Sequence, residues 1–107
     1  MNLLALSHLP QGDAEIFETL LERGPLNGLQ LERIVSAGQV TAAGQWYDQA
    51  WEEWVLLLQG EAELEYDDGR RLALRTGDSL LIPAHQRHRV AQTSQDPPCI
   101  WLALHLK

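Results

Sequence analysis

The sequence predicts an all-β chain, a barrel or sandwich of the jelly-roll type with one short N-terminal helix. Three observations carry this. Short apolar runs recur at roughly eight- to twelve-residue spacing, each closed by a Gly, Pro, Asn or Asp signal. From Leu26 onward, apolar and polar residues alternate with the two-residue period of strands. Only residues 13–23 carry apolar side chains at helical spacing.

Residues 1–12 read as irregular or as a short edge strand ending in Pro10-Gln11-Gly12. Asp13 is placed to cap a helix, with Glu15 in its first turn. Ile16, Phe17, Leu20 and Leu21 then share a helical face, and Gly24-Pro25 ends it. Residues 1–25 thus form an N-terminal extension, and the barrel occupies about 29–106 of one domain, 1–107.

Leu29, Leu31 and Ile34 or Val35 open the strand series. Trp54 to Leu58 is a continuous apolar run, as expected of a strand covered on both faces. Ala62, Leu64 and Tyr66 alternate with Glu61, Glu63 and Glu65, and Asp67-Asp68-Gly69 turns the chain into Leu72 and Leu74, a hairpin. Leu80 to Ile82 and Val90 to Thr93 follow as short strands. The last strand sets Ile100, Leu102, Leu104 and Leu106 on one face and Cys99, Trp101, Ala103 and His105 on the other. Its apolarity on both faces predicts a partner chain over the outer one, a homodimer.

The 107 residues are enough for one small hydrophobic core. A formal net charge of −7 argues against nucleic acid, since phosphates are repelled. Arg70, Arg71, Arg75, Arg87 and Arg89 are interleaved with apolar residues and read as surface charge. The lone Cys99 precludes an internal disulfide and fits a reducing compartment, the cytoplasm; it reads as a packed residue rather than a nucleophile. No segment approaches the roughly 20 apolar residues of a membrane span, and the N-terminal run is too short for a signal peptide.

The candidate site centres on Gly77 to His88, GDSLLIPAHQRH. Gly77-Asp78 turns the chain, the apolar run extends as a strand, and Pro83 stops it. A histidine beyond such a rigid corner can present a ring nitrogen to a cavity at little entropic cost. Phosphate loops, nucleophile elbows and Cys-His zinc spacings are absent. Glu52 and Glu53 are adjacent, so they face opposite sides of a strand and are no acid-base pair. Glu61, Glu63 and Glu65 read as a solvated face, and His105 as a packing or surface residue.

Two spacings resemble the cupin superfamily. Its second motif runs glycine, five residues, proline, one residue, glycine, two residues, histidine, three residues, asparagine. Gly77, Pro83 and His88 stand at these places, with His85 at the second glycine and Gln92 at the asparagine. The first motif ends in a glutamate, six residues and a glycine, matched by Glu53 and Gly60. The resemblance implies a double-stranded β-helix barrel. In metal-binding members two histidines one residue apart precede the glutamate; counting back from Glu53, those places hold Trp46 and Asp48.

The resemblance implies a divalent metal (Fe, Mn or Zn) on Glu53, His88, Asp48 and His85, with Trp46 and Tyr47 lining a pocket for a small metabolite. By family analogy the chemistry would be that of a dioxygenase or isomerase. The alternative is a non-catalytic ligand-binding or sensing module whose metal site has degenerated. Glu53 and His88 would then be structural, bonded to each other or to water.

Overall fold

The computed structural model describes residues 1–107, and all its regular structure is strand. Eight strands follow in order: β1 (Ile16–Arg23), β2 (Leu29–Ser36), β3 (Glu52–Gln59), β4 (Glu61–Tyr66), β5 (Arg71–Arg75), β6 (Ser79–Ile82), β7 (His88–Thr93) and β8 (Cys99–Leu106). They form two antiparallel sheets, one ordered β1-β2-β8-β3-β6 and the other β5-β4-β7. No helix long and apolar enough to cross a membrane is present.

The helix expected over residues 13–23 is instead β1. Ile16 to Arg23 pair along β2 as a hairpin, from Ile16 opposite Val35 to Arg23 opposite Leu29. A bulge lies between Thr19 and Leu21. The extra residue breaks the two-residue alternation, so Ile16, Phe17, Leu20 and Leu21 mimic a helical stripe. Pairing with β2 outweighs the local pattern, and Ile, Phe and Thr suit the strand. Gly12 and Asp13 form a turn rather than a helix cap.

The core lies between the sheets. Val55 and Leu57 of β3, Ile82 of β6, and Cys99 and Trp101 of β8 meet Ala62 and Leu64 of β4 and Leu74 of β5. The β4–β5 hairpin turns at Asp67-Asp68-Gly69 as expected, with the Gly69 N–H bonded to the Tyr66 carbonyl. On its outer side Glu61 is exposed as expected, while Glu63 and Glu65 are ion-paired: Arg71 bridges Glu63 at 2.5 Å and Glu65 at 3.4 Å, and Arg89 reaches Glu65 at 2.6 Å.

A single residue, Gly60, joins β3 of the larger sheet to β4 of the smaller. Its φ of +95° is a conformation L side chains rarely adopt, and a Cβ there would stand 2.8 Å from Ser94 Oγ and 2.9 Å from Cys99 Sγ. Gly60→Ala should therefore lower unfolding free energy by about 2–3 kcal/mol, read from urea denaturation. A midpoint unchanged from the native chain would show that the crossing between sheets yields without cost.

Candidate functional site

A small recess of about 60 Å³, open to solvent at its mouth, lies on the inner side of the five-stranded sheet. Phe17, Ile34, Val55, Leu64, Ile82, Val90 and Trp101 give it apolar walls. Set into these walls are Glu15, Glu32, Glu53, Tyr47, Gln49, His88 and His105.

Strand pairing places each polar group. Glu53 begins the inward face of β3, directly opposite His105 on β8 and Ile82 on β6. Only 7% of Glu53 is exposed; its carboxylate makes no hydrogen bond or ion pair within the chain and keeps its contact with solvent at the recess. His88 opens β7 and is 5% exposed. Its Nδ1 donates to the Gln86 carbonyl at 2.8 Å, which leaves Nε2 free on the cavity side. His88 and Glu53 therefore share the recess without bonding to each other.

Tyr47 is held against His88 by a two-way backbone bridge: Tyr47 N–H to the His88 carbonyl at 2.8 Å, and His88 N–H back at 3.1 Å. Their rings stack at 5.6 Å. Burial raises the Tyr47 hydroxyl above its ordinary pKa, and the charges of Glu15, Glu53 and Glu32 push it further in the same direction.

Two further carboxylates, which the sequence did not single out as site residues, are anchored from behind. Trp101 Nε1–H donates to Ser36 Oγ at 3.1 Å, and the Ser36 hydroxyl donates to Glu15. Desolvation raises the Glu15 pKa; the Ser36 bond opposes this, and the Glu32 charge adds to it. Trp51 Nε1–H donates to His105 Nδ1 at 2.9 Å, which fixes the proton on Nε2, from where it is donated to Glu32 at 2.9 Å. His105 is thus a buried connector at 6% exposure, the packed member of the two readings its strand position allowed.

The six residues expected from the sequence do not gather. Glu53, His88 and Tyr47 line the recess. Asp48 and His85 lie at the surface and bond to each other, His85 Nδ1 to Asp48 Oδ1 at 2.9 Å. His85 takes φ +61°, and its N–H is tied to the Gln49 carbonyl at 2.6 Å, which turns its ring away. Trp46 is also outside the lining, 6.0 Å from the Arg87 guanidinium. Residues alternate sides along this extended segment, and the Tyr47–His88 bridge sets the phase. The inward pair is Tyr47 and Gln49, one residue out of step with Trp46 and Asp48.

This architecture is a cupin barrel. The cupin domain family model matches residues 34–105, and the chain belongs to that family. Solved structures agree. A protein of Ralstonia eutropha JMP134 described as a "putative mannose-6-phosphate isomerase" is 42% identical, with a TM-score of 0.86 over 100% of this chain and 96% of that one. A cupin superfamily protein of Desulfitobacterium hafniense DCB-2 is 19% identical, with a TM-score of 0.72 over 91% of this chain and 81% of that one. A cupin domain from Bordetella pertussis Tohama I is 17% identical, with a TM-score of 0.68 over 92% and 98%. No curated protein matches the sequence.

The donor set does not fit a resident Fe, Mn or Zn ion. Glu53 and His88 give one carboxylate and one imidazole, while the neighbouring inward positions hold a phenol and an amide. Nowhere do three His, Cys, Asp or Glu side chains gather as a metal site.

The acidic recess leaves a mark on stability. Glu15 holds its proton more tightly folded than unfolded, so the native state binds more protons above the ordinary value of 4.5. Stability then declines as pH rises from that value through the raised one, and levels off. Glu15→Gln keeps an acceptor for Ser36 and should melt higher than the native chain at neutral pH, with a flatter pH profile. A lower melting temperature at every pH would show that the ionised carboxylate is stabilising.

Proposed function

We propose that the recess is a small-molecule site that moves a proton within a hydroxy-carbonyl metabolite, an isomerase-type reaction. One observation carries this: a buried, unpaired Glu53 carboxylate shares an apolar recess with the unengaged Nε2 of His88. Glu53 takes the proton from the carbon beside the carbonyl. Protonated His88 gives its Nε2 proton to the carbonyl oxygen, and an enediol forms. His88 then recovers a proton from the other hydroxyl, and Glu53 returns its proton to the former carbonyl carbon. The balance closes without an external oxidant or reductant. The name carried by the 42% identical relative supports this class of chemistry.

Hydrogen–deuterium exchange at the carbon beside the carbonyl, followed by NMR in D₂O, tests this reading. Hexoses, amino sugars and mannose 6-phosphate form the panel. Exchange should fall at least about 100-fold in Glu53→Gln while the melting temperature holds. Ligand binding without exchange in the native chain would favour the sensing module instead.

The free Nε2 of His88 also favours a second reading, in which Glu53 and His88 hold Fe, Mn or Zn supplied with further ligands by the substrate. Elemental analysis of untagged protein, with and without a bound panel compound and added Fe, Mn or Zn, separates the two. Metal retained only together with the bound compound, and lost in Glu53→Ala and His88→Ala, would favour the second; metal-free protein that still exchanges would favour the first.

We further propose a homodimer through the outer face of the five-stranded sheet, in a reducing compartment where the buried thiol of Cys99 persists. Leu31, Trp54, Leu56, Leu102 and Leu104 share that outer face, and Leu81 beside Trp54 is 50% exposed. Sedimentation should give a dimer that Leu104→Glu converts to monomer; a monomeric native chain would overturn it.

A further inference from the structure

We propose that the recess selects a small metabolite carrying an ammonium group and rejects phosphate esters. This rests on the small-molecule reading above and names the class of ligand.

The first observation is the charge of the lining. It holds three carboxylates, Glu15, Glu32 and Glu53, and not one lysine or arginine. Every arginine near its edges is committed elsewhere. Arg33 pairs with Glu18 at 2.7 Å and donates to the Leu3 and Ala5 carbonyls. Arg87 lies by the Trp46 ring, and Arg89 is shared between Glu65 and the Thr41 carbonyl. His105 brings no free positive charge, since one ring nitrogen accepts from Trp51 and the other donates to Glu32. A dianionic phosphate entering such a recess meets three like charges and only the ring of His88 as a potential cation.

The second observation sets one of these carboxylates apart from the other two, which are held by Ser36 and His105. Glu53 is more than nine-tenths buried, lines the recess and has no partner within the chain. A buried carboxylate is costly unless a donor meets it. An ammonium group supplies three N–H donors and the opposite charge in one group, without an acceptor that would need satisfying.

The third observation is the aromatic lining. Phe17, Tyr47 and Trp101 all border the recess. Aromatic rings attract organic cations, modestly at exposed sites such as Phe17 and Tyr47 and more strongly at buried ones such as Trp101. Carboxylates and aromatic rings together define a cation receptor of modest size, suited to an amino alcohol or amino sugar.

Matched probes isolate the charge: glucosamine against mannose, ethanolamine against ethylene glycol, and mannose 6-phosphate as the anion. Calorimetry on the native chain should show each amine binding at least about tenfold tighter than its neutral counterpart, with mannose 6-phosphate weakest. The preference for each amine over its neutral counterpart should shrink in Glu53→Gln and in Glu32→Gln. Because either variant could lose stability, the native-chain ranking decides alone. Amines that bind no better than their neutral partners, including no binding by any amine, would overturn the proposal, as would mannose 6-phosphate binding as tightly as glucosamine. Amine binding without proton exchange would sink the isomerase reading and leave the ligand class standing. Exchange on mannose 6-phosphate alone would do the reverse.

Discussion

The antiparallel seating of β8 between β2 and β3 is the constraint on which the rest depends. It sets Glu53 opposite His105 and places Glu32 on the neighbouring strand within reach of the same imidazole. The same strand sends Trp101 toward Ser36 and thereby holds Glu15 at the recess. A slip of one residue would turn Trp101 and His105 to the outside and bring Leu102 and Leu104 in. The recess is thus a product of strand register before it is a product of any single side chain.

Register also divides the polar groups into two kinds. Glu32 and His105 have their hydrogen bonds completed inside the chain, through Trp51. Glu53 and the outer nitrogen of His88 do not. Buried groups with satisfied partners stiffen a fold, whereas those left open are where a ligand gains most from binding. The carboxylate and imidazole that the family pattern marks are the open ones, and both line the same largely apolar recess.

Much of this was legible in the sequence. The strand series, the hairpin turn at Asp67-Asp68-Gly69 and the two faces of the last strand follow from alternation and turn residues, which are local signals. Glu53 and His88 stand out because a glycine and a proline fix the chain around them. Two things were not legible. In β1 a bulge disturbed the alternation and gave a helical spacing, and only the partner strand β2 decides between them. In residues 46–49 every side chain is a credible pocket residue, and the side each faces is set by the distant bridge from Tyr47 to His88. Glu15 and Glu32 carried no motif; their role comes from partners 21 and 73 positions away.

The pairing of Tyr47 and Gln49 as inward neighbours bears on how such barrels diverge. The two side chains line the recess together with Glu53 and His88, where Trp46 and Asp48 do not. The backbone that aims them is fixed by main-chain bonds to His88 and His85, which are indifferent to side-chain identity. The side chains at these two positions can therefore change what the recess presents to its contents without changing the main-chain bonds that shape it.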